Sequence, residues 1–295
     1  MPSLKDIRSR IDSTKNTQKI TSALKLVSAA KLRRAQHNIV NLRPYAKSLL
    51  TLIADVAETQ KVEHKLLAQP TEDPKSILMI VLASDRGLCG SFNAGICKFT
   101  EQKLSEMKSQ YDKVDLIFVG RRVKDYFARR KVDPVEYITG LDKDISYELA
   151  ADVAQKAIKA YEKGHYDEVK IVYNEFKSAI AQDVVCERLL PVDTDGVNSF
   201  DNDEEPRFAK DLIFEPAPEK IIDELLNKHF AVQVYRCMSE SVASEHGARM
   251  TAMENSTKNA GELIKGLTTT YNKLRQASIT KELIEITTGA EALNG

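Results

Sequence analysis

Apolar residues recur at helical spacing at both ends of this chain and at strand spacing only between them. The first sixty residues read as one helix, with Ser3 as its N-cap and Asp6 three residues on, beside the first-turn amides. From Ala35 the apolar positions are Ala35, Ile39, Leu42, Ala46, Leu49, Ile53 and Val56, alternating steps of four and three as a coiled-coil heptad does. Pro44 falls inside that run, so a kink or break is expected there. At the other end no proline follows Pro218, and Glu219, Asp223 and Glu224 suit a helix N-terminus. At 1.5 Å per residue the helix from there to Leu293 would be about 110 Å long, more than a globular domain needs. One stripe runs Ile222, Leu226, Phe230, Val234, Cys237, Ser241, and a second Ile264, Leu267, Tyr271, Leu274, Ser278. After a one-residue shift a third follows: Ile279, Leu283, Ile286, Ala290, Leu293. Small residues predominate from Ser239 to Gly261, which allows another helix backbone to approach closely.

Between the ends the period changes. Residues 76–83 are a continuous apolar run and read as a buried strand, followed by the turn Asp85-Arg86-Gly87-Leu88-Cys89-Gly90 and a helix to about Gln110. Further strands are predicted at Val114–Val119, Glu168–Phe176 and Gln182–Val192, with helices at Arg121–Arg130 and Ser146–Tyr161. Strand alternating with helix implies βαβ units and a mostly parallel sheet covered on both faces. Residues 60–75 form a polar connector, and 196–206 an acidic loop.

The expected fold class is therefore α/β: a long antiparallel coiled coil of the N- and C-terminal helices, plus a central Rossmann-like α/β domain. The segments are residues 1–66, 75–215 and 216–295. A helix so long cannot cover its apolar stripe alone, and the N-terminal helix carries the complementary one.

Charge narrows the function. Charged residues make up 29% of the chain yet balance to zero, which argues against a general nucleic-acid binder. The N-terminal helix is nonetheless basic, with only Asp6 and Asp12 acidic up to position 54. That run is either a solvated face or a basic collar facing an acidic partner. The scattered Cys89, Cys97, Cys186 and Cys237 and five separated histidines suggest no disulfide framework or zinc site, and fit a reducing compartment. No apolar run approaches the ~20 residues that span a bilayer, so membrane association is expected only through partners.

Little in the chain suggests catalysis. The turn at 85–90 follows a strand and opens a helix, where phosphates often bind, but it matches neither phosphate-loop pattern. A tight turn needing glycine is the simpler reading. No acid pair combines with a histidine, so no catalytic, metal or cofactor residues are assigned. Arg275, Gln276 and Thr280 lie near one face of the last helix and could make a specific polar contact.

Taken together, the motifs closely resemble the gamma subunit of the rotary F-type ATP synthase. They are Ile7-Arg8-Ser9-Arg10-Ile11, Asn16-Thr17-Gln18-Lys19-Ile20-Thr21 and Ala29-Ala30-Lys31-Leu32 near the start, then Ser84 to Gly90 and Phe214-Glu215-Pro216. Near the end come Ser244-Glu245, Arg249 to Met253, Tyr271-Asn272, Arg275 to Thr280 and Glu282-Leu283. The resemblance spans nearly the whole chain. It implies a non-catalytic central-stalk rotor inside a ring of three alpha and three beta chains, with the epsilon subunit and the membrane c-ring as further partners. It also implies that Arg275, Gln276 and Thr280 contact a loop of one beta chain. Leu24, with Lys19, Lys25 and Lys31, would lie near the acidic lever of beta. Phe214, Glu215 and Pro216 would belong to the foot on the membrane rotor ring and epsilon, and residues 286–295 to a low-friction bearing in an apolar sleeve. The cysteine pair of plastid members is missing, so thiol control is not expected. A start directly at the motif suggests a bacterial protein on the cytoplasmic face of the inner membrane. The competing readings are a static coiled-coil scaffold bearing a ligand-binding α/β domain, and a nucleic-acid binder using the basic helix.

Overall fold

The computed structural model describes residues 3–60, 64–67, 73–140, 145–192 and 217–294. Its helices are α1 (Leu4–Gln60), α2 (Phe92–Gln110), α3 (Arg121–Ala128), α4 (Tyr147–Glu162) and α5 (Pro218–Asn294), with a short 3-10 turn at Lys65–Leu67. Its strands are β1 (Ser76–Leu82), β2 (Lys113–Val119), β3 (Glu136–Ile138), β4 (Glu168–Phe176) and β5 (Gln182–Leu190). The chain is thus mixed α/β, with a helix of 57 residues at one end and one of 77 at the other. Compactness divides it into two units that cut across both long helices: residues 1–28 with 249–295, and residues 29–248.

The larger unit is built on one five-stranded sheet in the order β3-β2-β1-β4-β5, parallel except for β5, which runs antiparallel to β4. Alternate residues of β1 serve two cores, which explains why its sequence is apolar throughout. Leu78, Ile80 and Leu82 face Ala46, Leu49, Ile53 and Val56 of α1, the inner face of α4, and Ile222, Leu226, Phe230 and Val234 of α5. Ile77, Met79 and Val81 face Phe92, Ile96 and Leu104 of α2 and Val123 and Phe127 of α3. The heptad expected from Ala35 onward is therefore buried as read except at the half-buried Leu42, but its last four positions pack against a sheet as well as a helix.

No break occurs at Pro44, since α1 runs through it. Pro44 cannot donate to the carbonyl of Val40, but both residues are exposed, so water can satisfy that carbonyl. The remaining elements lie within a residue or two of their predicted limits, with Ser146 capping α4 by accepting from the amide of Leu149 at 3.2 Å. Strand β3 was not predicted: three residues are too short to show a period, and it exists by pairing with Ile117–Val119.

One glycine is fixed by close approach. Gly120, between β2 and α3, has φ +104°, and a Cβ there would lie 2.0 Å from the carbonyl oxygen of Ala83.

Candidate functional site

The smaller unit is an antiparallel helix pair. The hydroxyls of Thr21 and Thr257 are 2.7 Å apart, the Gln18 amide donates to the Thr257 carbonyl at 3.4 Å, and Lys25 pairs with Glu254 at 2.8 Å. That register sets Leu4, Ile7, Ile11, Thr14 and Gln18 opposite Leu274, Tyr271, Leu267, Ile264 and Ala260. The burial pattern agrees: these positions are the protected ones, three or four apart, while most residues between them are exposed. The apolar half of this seam was legible from the α5 stripe. Thr14, Gln18, Thr21 and Ser28 were not, because polar residues on a basic helix read as surface. Yet Thr21 and Ser28 are buried. A polar residue in a helix seam fixes register at some cost in stability.

The same register puts the first residue of α1 opposite Leu274, so α5 continues beyond its partner. From Arg275 to Ala290 every side chain except Ser278 is exposed. Ile279, Leu283 and Ile286, the third stripe, are 49%, 58% and 68% exposed. This end of α5 carries a large apolar face that no described residue covers.

Arg275, Gln276 and Thr280 all lie on this projecting segment, exposed, with Gln276 and Thr280 one turn apart. Of the collar residues on α1, Lys19 is exposed, while Leu24, Lys25 and Lys31 are half-buried. Lys25 already has a carboxylate partner in Glu254, so its charge is partly neutralised within the chain. Ile20, Leu26 and Val27 are 60%, 69% and 55% exposed, so the collar has an apolar component that a charge reading overlooks. Phe214, Glu215 and Pro216 lie outside the described residues.

The turn at 85–90 uses its side chains to hold itself together. Asp85 accepts from the amides of Arg121 and Gly140 at 2.9 and 3.1 Å, joining α3 to the end of β3. Asn93 accepts from the Ser84 amide and hydroxyl at 3.1 and 2.9 Å, and donates to Cys89 Sγ at 3.0 Å. Leu88 and Gly90 take positive φ of 64° and 58°. In open α/β sheets ligands favour the crevice beyond the strand ends where the order reverses, here between β1 and β4. That ground is taken by α5: the Ser244 hydroxyl donates to the Asn174 carbonyl at 3.2 Å, and a Cβ on Gly247 would be 3.0 Å from the Ala179 carbonyl oxygen. Among the described residues no three metal-ligating side chains cluster, and no helix is long and apolar enough to cross a membrane.

Comparison with known proteins follows the same outline. The family model described as ATP synthase matches residues 3–293. The chain is 62% identical to the ATP synthase gamma chain of Bdellovibrio bacteriovorus over 297 aligned positions covering all of both chains. It is 45% identical to that of Anaeromyxobacter dehalogenans, over 99% of this chain and 100% of the relative. Among solved structures it is similar to a chain of the Tetrahymena thermophila mitochondrial ATP synthase central stalk and c-ring, with a TM-score of 0.61 and 28% identity over 80% of this chain and 98% of that one. A chain of the Euglena gracilis mitochondrial enzyme shares the fold, with a TM-score of 0.68 and 22% identity over 98% and 94% of the two chains.

Proposed function

As the chain belongs to the family of ATP synthase gamma chains, we propose that it is the central-stalk rotor of an F-type ATP synthase. It turns inside the ring of alpha and beta chains and couples ion flow through the membrane sector to ATP synthesis. The chain is a non-catalytic subunit and the chemistry occurs on its neighbours. The observation that carries this reading is the projecting end of α5: a helix with an exposed apolar face, extending past the start of α1, requires a sleeve.

Rotation drives catalysis only if each orientation of the rotor favours one state of a catalytic chain over the others. A helix end whose apolar stripe, Ile279, Leu283 and Ile286, occupies one side meets that requirement, because it is not symmetric about its own axis. Arg275, Gln276 and Thr280 form the contact with a loop of one beta chain, and Lys19, Leu24, Lys25 and Lys31 the collar near the acidic lever of beta. Phe214, Glu215 and Pro216 belong to the foot on the c-ring and the epsilon subunit. The ring holds three alpha and three beta chains, and the complex sits with this chain on the cytoplasmic face of the membrane.

The test is the native mass and subunit stoichiometry of the assembly that co-purifies with a tagged copy under gentle extraction. One copy with three each of two nucleotide-binding chains, and ATPase activity, is expected. A homo-oligomer without those chains would favour a static scaffold instead.

A further inference from the structure

Within the larger unit, α1, the segment leading into α4 and the middle of α5 enclose a half-open cavity of about 520 Å³. Its chemistry is lopsided. Arg33, Arg34 and His37 of α1 and His246 of α5 line it, together with Lys31, and among the described lining residues there is no carboxylate. Arg33, Arg34 and His37 are exposed, and neither arginine has a hydrogen bond or ion pair to any described residue. The half-buried, apolar Ile145 and Val242 line it as well.

Adjacent cations around a concave site repel one another unless an anion joins them. A guanidinium presents its donors in a planar fork that matches phosphate oxygens two at a time. The volume lies in the range of small-molecule sites, well above what a lone phosphate fills. An apolar wall beside a cationic one suits a ligand with a flat, weakly polar body and a polyanionic tail. We propose that this cavity binds a nucleoside polyphosphate, the phosphates held by Arg33, Arg34 and His37 and the base lying against Ile145 and Val242. The site is separate from the turn at 85–90, whose side chains are already committed, and it gives the rotor a means of sensing nucleotide that its mechanical role does not require.

Isothermal titration of the full-length chain with Mg-ATP, pyrophosphate and adenosine, at about 0.1 M salt, tests this. One ATP per chain is expected, binding at least tenfold more tightly than either fragment. Replacing both arginines, Arg33→Ala with Arg34→Ala, weakens ATP at least tenfold, and Arg33→Gln with Arg34→Gln does the same while keeping stem length. Arg8→Ala, on the same helix outside the cavity, leaves it unchanged. Unaltered far-UV circular dichroism certifies each variant. No binding at millimolar ATP overturns the proposal, as does an affinity that both arginine pairs leave intact. Equal affinity for ATP and pyrophosphate also overturns it, since the apolar wall would then contribute nothing.

Discussion

Replacing Arg236 by methionine should cost the larger unit about 3 kcal/mol. The guanidinium is 16% exposed and makes four hydrogen bonds: to Glu187 at 2.6 Å, Gln233 at 2.8 Å, the Tyr173 hydroxyl at 3.1 Å and Glu240 at 3.5 Å. It thereby ties α5 to β4 and β5. Breaking a buried ion pair from one side typically costs 3–5 kcal/mol, mostly because the abandoned charge stays in a poor solvent. Two features set the lower end here. The Glu187 side chain is 38% exposed and can rehydrate, and Glu240, though only 2% exposed, has a further partner. Methionine keeps the apolar stem, so little packing is lost. Urea unfolding followed by circular dichroism at 222 nm is the assay, because the chain has no tryptophan to report by fluorescence. At an m-value of roughly 2–3 kcal/mol/M the midpoint falls by about 1 M or more. Adding Glu240→Met should restore part of the loss, as replacing a buried pair by apolar residues often does. A midpoint within about 0.2 M of the original, at unchanged m, would refute the idea that this network holds α5 to the sheet.

Other consequences follow from single residues. His229 on α5 is 4% exposed with Nδ1 unpartnered, and burial, helped by the charge of Arg236, pushes its imidazole down to about 4. Its folded value lies below the unfolded one near 6.5, so stability is full above that pH and lost as pH falls toward 4, by about 3 kcal/mol; His229→Leu should flatten this part of a pH–stability profile. Gly120→Ala places a Cβ on the Ala83 carbonyl and should cost more than about 3 kcal/mol, enough to depress the yield of folded chain, and a thermal midpoint close to the parent's would contradict the close approach. Arg275→Ala with Gln276→Ala should leave the chain's stability within about 0.5 kcal/mol, since both residues are exposed. In the assembled enzyme the same pair should weaken coupling, read as ATP synthesis per ion gradient; unchanged coupling would remove these residues from the contact.

Both long helices and four of the five strands were legible in the sequence, because the spacing of apolar residues changes cleanly at about residue 76 and again at 218. What stayed hidden depends on partners distant in sequence. Thr14, Gln18 and Thr21 look like surface until the opposing helix is in place, and β3 has no identity apart from its pairing with β2. His229, Arg236 and Glu240 lie off the apolar stripe of α5, yet that helix is buried on nearly every side where it crosses the sheet. The candidate contact residues showed a different limit. Arg275, Gln276 and Thr280 are no more exposed than their neighbours, so only the motif they belong to singled them out.

A chain that turns within a fixed ring can be watched doing so. Lys108 is exposed on α2, and of the four native cysteines only Cys186 is even half accessible. Lys108→Cys therefore offers a handle for a gold rod or bead on the assembled, surface-fixed complex. With ATP supplied, the expected result is unidirectional stepping of the rod in thirds of a turn, stopping when ATP is withdrawn. ATP hydrolysis at full rate with the rod stationary, once linkage to the chain is verified, would contradict the rotor role.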